Sequence, residues 1–310
     1  MNTPQNVAAG ASPLPLAASP SVVPARRLFY WSVRRELWEF RSIYIAPLAA
    51  AAIALFGFLL STVHLAGKVR AASLDPLRQH ELLVQPYHFA ALLIMGSTFI
   101  VSIFYCLDAL HGERRDRSIL FWKSLPVSDL VTVLSKTSIP LVVLPLLTFA
   151  VTVVTQFIIF VLSAFLLLAC GLPFSTLSGN ISLLPMWVMV FFHLFAIHSL
   201  WYAPMFGWLL LVSVWARRTP FLWATLPLLA IGLVEKIAFN TLYFGDMLKY
   251  RILGGSEDIP FPEAMGTAMS PYAHFAPGKF LVSPGLWIGL AVAAIFLAVA
   301  VRLRRDREPI

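Results

Sequence analysis

The chain has 310 residues, 59% of them hydrophobic and only 12% charged, with a mean hydropathy of +0.81. A water-soluble domain of this size cannot hide so much apolar surface, so the composition points to an integral membrane protein. The net charge of +8 does not indicate a nucleic-acid partner, because the basic residues flank apolar runs and form no continuous patch.

Residues 1–25 are rich in Ala, Pro and Ser and carry no charge before Arg26. With no compact apolar core leading to a cleavage site, they read as a disordered cytoplasmic tail and not as a signal peptide. The remainder, 26–310, reads as a single membrane domain. It opens with "RRLFYWSVRRELWEF", in which Phe29, Val33, Leu37 and Phe40 recur at helical spacing while Arg27, Arg34 and Arg41 share another face. This pattern predicts an amphipathic interfacial helix with its arginines toward anionic headgroups. The alternative is a plain basic flank of the first span.

A bilayer core of about 30 Å needs roughly 20 apolar residues in a helix. Six stretches qualify, at about 43–63, 87–110, 137–169, 183–214, 221–243 and 284–303. Most of the 23 basic residues fall on one side if the N-terminus is cytoplasmic, in the segments holding Arg26 to Arg41, Arg114 to Lys136, Arg217 and Arg218, and Arg302 to Arg307. Both termini are therefore expected in the cytoplasm. The outer connection at 64–86 contains "LDPLRQHELL", expected as a short interfacial helix. The longer one, about 244–283, mixes aromatic residues with Gly and Pro and suits short re-entrant helices before the sixth span. Cys106 and Cys170 fall at opposite ends of different spans and are not expected to pair.

Residues 112–129, "GERRDRSILFWKSLPVSD", join the second and third spans. Glu113 and Arg117 stand four apart in the acid-first order that favours a helix, and Ile119 and Trp122 share a neighbouring face. Pro126 stops that helix, and Ser128 or Asp129 can cap the next. The prediction is a short amphipathic helix on the cytoplasmic side with a face open to another protein.

Here Glu113-Arg114, the run "ILFWKSLPVS" and Lys136 resemble the pattern of ABC-2 type transporter permeases: Glu-Arg, an apolar turn, Pro-Val-Ser and a Lys opening the third span. Family members commonly have Gly-Thr or similar small residues after the Glu-Arg, where this chain has Arg117-Ser118. The resemblance implies an all-α permease of six transmembrane helices in a bacterial inner membrane, whose connection between helices 2 and 3 is a coupling helix. By that analogy Glu113, Arg114, Arg117 and Trp122 contact a separate ABC ATPase, present in two copies. A second permease subunit, identical or related, would complete the export path for an amphipathic, lipid-like or peptide substrate. The chain has no phosphate loop: "HLAGKVR" lacks the earlier glycine and the following Ser or Thr. No cofactor is therefore expected on this chain, with ATP and Mg on the partner ATPase.

His193 and His198 lie inside the fourth span, where an ionisable side chain is a functional candidate by default. Five apart on an α-helix, they point in different directions, unlike a zinc pair at i and i+4. They read as neutral packing histidines or as polar lining of a substrate path. Glu235, toward the outer end of the fifth span, either snorkels outward or faces the interior. Pro140, Pro145, Pro204 and Pro227 are expected to interrupt spans three to five. Trp187, Trp201, Trp208 and Trp215 read as interfacial and packing residues. A second class of function, an intramembrane hydrolase or lipid-modifying enzyme, would use His193, His198 or Glu235. A proton-coupled carrier would usually show paired intramembrane acids or an inverted repeat, and neither is visible.

Overall fold

The computed structural model describes residues 24–71, 75–116, 118, 127–253 and 277–306. Among these the chain is helical and contains no strand. Six helices are long and apolar enough to cross a membrane. The expected tail, up to residue 23, lies outside the described residues, as do Arg117 and Trp122.

Helix α1 (Ala25–Glu39) precedes α2 (Ser42–Ala71), which packs along α3 (Pro76–Asp108). Their interface pairs Ala50, Ala51, Ala54 and Phe58 of α2 with Ala90 and Ile94 of α3, while Ile53, Phe56 and Leu60 face outward. Small residues inside and large apolar residues outside are the reverse of a soluble core. In lipid, burying a large apolar side chain gains little, and close backbone approach through small residues provides the attraction. The expected interfacial helix at "LDPLRQHELL" is instead the start of α3: the Asp75 carboxylate accepts from the Leu77 and Arg78 N–H groups and Pro76 occupies the first turn.

A short helix, α4 (His111–Arg115), follows α3. The third span begins earlier than expected, with α5 (Asp129–Ser138) capped by Ser128, whose Oγ accepts from Val131 N–H. A π-helical turn at Ile139–Val143 joins α5 to α6 (Leu144–Ala169), so one continuous run spans Asp129–Ala169. The short α7 (Phe174–Ser178) leads to the fourth span, built from α8 (Leu183–Phe192), a π-helical stretch at His193–Trp201 and α9 (Ala203–Trp215). The span expected over 183–214 is broken at Tyr202, two residues before Pro204, one of the prolines expected to interrupt it, which lacks the N–H that would continue the helix.

The fifth span is α10 (Pro220–Phe239), and Pro227 sits inside it without breaking it. Ala224 is its only buried residue. Then come α11 (Tyr243–Leu253), α12 (Pro277–Val282) and α13 (Pro284–Asp306). The outer segment thus holds two short helices, with residues 254–276 between them outside the described set. Helices α9 and α13 pack closely at Gly207, where a methyl group would meet the Ala293 carbonyl oxygen at 3.3 Å and Phe296 Cβ at 3.4 Å. Trp208 Nε1 donates to the Ala224 carbonyl at 3.1 Å and ties α9 to α10. Cys106 and Cys170 are both free thiols.

Replacing Gly207 by Leu should force α9 and α13 apart, whereas Gly207→Ala needs only a few tenths of an ångström of movement. Thermal unfolding of the purified protein checks this: Gly207→Leu is expected to unfold many degrees below wild type and Gly207→Ala only slightly below it.

Candidate functional site

At one end of the bundle, five elements meet around a buried lysine. Helix α1 presents Val33, Leu37 and Phe40 to the core, with Phe40 edge-on to Tyr105 at 5.0 Å. The stripe expected to meet the membrane therefore docks on protein. Glu36 lies within that stripe, so docking carries a carboxylate inside, where it is 1% exposed. Such burial is tolerable only with cationic partners.

Those partners are present. Lys136 of α5, 0% exposed, places Nζ 2.9 Å from Glu36 Oε1 and 3.1 Å from Glu113 Oε1. Arg35 Nη2 bridges the same two acids, at 2.6 Å from Glu36 Oε1 and 2.7 Å from Glu113 Oε1. Tyr105 of α3 donates to Glu36 Oε2 at 2.9 Å. Arg304, in the last turn of α13, reaches Glu113 Oε2 at 3.1 Å through Nη2, and its Nη1 bonds Asp129 Oδ1 at the start of α5. Three acids, Glu36, Glu113 and Asp129, thus face three bases, Arg35, Lys136 and Arg304, and the formal charges cancel. Burial lowers the Arg35 pKa, but the charges of Glu36 and then Glu113 outweigh it and hold the guanidinium above its ordinary value. At the rim Glu39 is raised, by burial first and then by the Glu36 charge.

This arrangement changes the reading of the connection after α3. Glu113 and Arg114, expected to touch another protein, point inward and are 3% and 4% exposed. Arg114 Nη1 donates to the Val214 and Ala216 carbonyls at the end of α9. Ser213 Oγ accepts the Leu110 and His111 N–H groups at 3.0 and 2.8 Å. The physical reason is local. The N–H groups at the start of α4 lack intrahelical acceptors and take the Ser213 hydroxyl, while the last carbonyls of α9, which lack intrahelical donors, take the Arg114 guanidinium. Arg115 and Asp116 are the exposed charges of α4 and the residue after it.

The other candidates are also placed. His193 and His198 both lie in the π-helical stretch, where residues five apart are one hydrogen-bonded turn apart. They are therefore neighbours, contrary to the α-helical expectation. His198 also lies at a backbone defect. Leu144 N–H bonds Ile139 O, so the next carbonyl, that of Pro140, would look to residue 145, a proline without N–H. The His198 ring lies beside that carbonyl, with Ser102 Oγ 3.4 Å from Nε2 and the rings of Phe99 and Phe206 around it. Glu235 is held within the chain, at the head of α11. Its carboxylate accepts Tyr243 N–H at 2.7 Å, Phe244 N–H at 2.9 Å and Thr241 Oγ1 at 2.8 Å, capping α11. No group of three or more His, Cys, Asp or Glu among the described residues is arranged to hold a metal ion.

Sequence reasoning missed Glu36, Tyr105, Asp129 and Arg304 as site residues, and treated Lys136 only as a family marker. A signal existed: Glu36 shares a face with Phe29, Val33, Leu37 and Phe40, and an acid in an apolar stripe calls for a buried cation.

Lys136→Met should leave Glu36 and Glu113 short of one positive charge and cost about 3–5 kcal/mol. Adding Glu113→Gln should recover part of that loss, because it removes one of the stranded charges. Unfolding followed by tryptophan fluorescence in detergent checks both, and a double variant as unstable as the sum of its parts would contradict the coupling. Comparisons of the chain with protein-family models, with curated proteins and with solved structures give no match.

Proposed function

We propose that this chain is the permease subunit of an ATP-driven exporter of the ABC-2 type, working with two copies of an ABC ATPase and a second permease subunit. The observation that carries the reading is the position of Glu113. It belongs to the Glu-Arg pair on which the family resemblance rests, and it bonds groups from α1, α5 and α13. A force applied to α4 therefore reaches three other elements through ionic contacts instead of being lost in a loose loop.

In this reading Arg115 and Asp116 form part of the outward surface that meets the ATPase, while Glu113 and Arg114 anchor that surface from within. ATP and Mg bind on the partner, and closure of the two ATPases moves α4 and with it the helices tied to the cluster. The cluster end faces the bacterial cytoplasm, and the end carrying α11 and α12 faces out. Lipid covers the large side chains that α2, α10 and α13 expose. The cargo is an amphipathic molecule moved outward between two permease subunits. The enzyme alternative has less behind it, since the Glu235 carboxylate is occupied by two backbone N–H groups and His198 is packed between Phe99 and Phe206.

Co-expression with the ABC ATPase chains encoded near its gene, followed by purification on a tag carried by this chain, tests the proposal. Wild type should retain the ATPase and hydrolyse ATP. The double variant Arg115→Glu, Asp116→Arg should lose association and turnover several-fold while unfolding at the wild-type temperature. If wild type retains no ATPase although both proteins are well expressed, the proposal fails.

Orientation is open to a separate measurement. In intact cells a membrane-impermeant maleimide should label the Lys249→Cys variant and leave Asp116→Cys unlabelled until the membrane is opened. The opposite pattern would invert the topology.

A further inference from the structure

Arg251, near the end of α11, places a cation at membrane depth. Its guanidinium lies against Gly289, where a methyl group would fall 1.8 Å from Nη2. Gly289 is five residues inside α13, about 8 Å from its start and about 22 Å along the axis from Arg304. An arginine beside that point is at the level of a span, and its charge needs a reason to be there.

The protein provides a built seat for it. Trp201 lies beneath, with the guanidinium carbon 4.2 Å from the ring centroid. Trp201 Nε1 and the Tyr202 hydroxyl donate to the Arg251 and Ile252 carbonyls, at 2.9 and 2.8 Å, and fix the end of α11. Nη1 donates to the Gly285 carbonyl at 3.0 Å. At Gly285 a methyl group would stand 3.2 Å from the Tyr250 hydroxyl, so α13 carries glycine at both places where this cluster presses on it.

The described residues bring no anion to this seat. No carboxylate among the described residues pairs with Arg251, and Nη2 is buried without a hydrogen-bond partner. An open cavity of about 410 Å³, bordered by Gly278, Val282, Ser283 and Pro284, adjoins Gly285. Val282 and Ile288, three residues before and after Gly285, both expose apolar surface.

We propose that Arg251, seated on Trp201, binds the acidic headgroup of an amphiphile whose apolar chain lies in the membrane. A planar guanidinium with unused N–H groups matches the oxygens of a carboxylate or a phosphate. The cavity, bordered mostly by apolar surface, takes the first part of the apolar chain, and the exposed side chains of α12 and α13 continue that surface. The binding does not depend on the permease reading; joined to it, it makes acidic amphiphiles the first class of cargo to try.

The test uses the full chain in phosphatidylcholine nanodiscs with no ATPase present. Tryptophan fluorescence is followed during titration with brominated phosphatidylglycerol, brominated stearate or brominated phosphatidylcholine. The difference between wild type and Trp201→Phe isolates the Trp201 signal. That signal should be quenched by an acidic amphiphile at about a tenfold lower mole fraction than by phosphatidylcholine. Preference for phosphatidylglycerol identifies a phosphate headgroup, and preference for stearate a carboxylate. Gly289→Ala, which displaces the guanidinium and keeps its charge, should remove the preference, as should Arg251→Gln; Arg251→Lys should keep part of it. Equal quenching by acidic and zwitterionic lipids, or a preference that survives Arg251→Gln, overturns the proposal. A preference that appears only when Glu257, Asp258 and Glu263 are neutralised together assigns Arg251 to an ion pair within the chain and also overturns it.

Discussion

A lysine with no solvent contact, at the head of the longest helical run, constrains the whole end of the bundle. The charge of Lys136 cannot be buried alone, because losing hydration costs several kcal/mol even after relaxation. Two carboxylates must come to it, one from α1 and one from α4, and each brings a further requirement. Glu36 and Glu113 together exceed one lysine, so Arg35 and Arg304 complete the balance, and Asp129 takes the remaining side of Arg304. Such a cluster adds little net stability compared with apolar packing. Its effect is to permit one register of α1, α4, α5 and α13 and to penalise others.

The rest of the architecture follows from lipid as the solvent. Since no helix gains by hiding leucine from hydrocarbon, α2 and α3 join through alanines, and α9 and α13 join through Gly207. Helix α10 shows the limit of this logic, with Ala224 buried and Leu226, Leu229, Leu233 and Ile237 exposed. Hydropathy made six spans legible, since that signal depends only on composition over about 20 residues. The ends were less legible. Whether Asp75 begins a separate helix or extends α3, and whether span three begins at 137 or at Asp129, depends on caps and contacts that hydropathy does not encode.

The site was legible in part. Glu113 and Arg114 stood out as a motif, but whether they face a partner or the interior depends on Lys136 and Arg304, which are distant in sequence. The pattern "SVRRELWEF" contained the missing information, since Glu36 falls between Val33 and Phe40 on the apolar face. Assigning Arg27, Arg34 and Arg41 to the headgroup face left Arg35 without a role, although it turns inward with Glu36. The histidines show a different limit. Five-residue spacing separates two side chains on an α-helix and brings them together on a π-helix, and nothing in "HLFAIHSLW" by itself distinguishes the two windings. Once Pro140 and Pro145 are recognised as leaving a carbonyl unmet, a polar neighbour there is to be expected, and the His198 ring is the side chain the fold sets beside it.

Helix α13 connects the two polar regions of the molecule. Near its start, Gly285 and Gly289 admit Arg251 and Tyr250; near its end, Arg304 joins Glu113 to Asp129. A helix is stiff over this length, so a shift at the glycines carries to Arg304 instead of dissipating between them. The same helix packs against α9, whose end accepts Arg114 and the α3–α4 turn. Movement of α13 along α9 would therefore pull Arg304 against a Glu113 that α9 itself holds in place through α4. The contacts of Glu113 with Arg35, Lys136 and Arg304 resist such a movement, because separating them would leave buried charge without a partner.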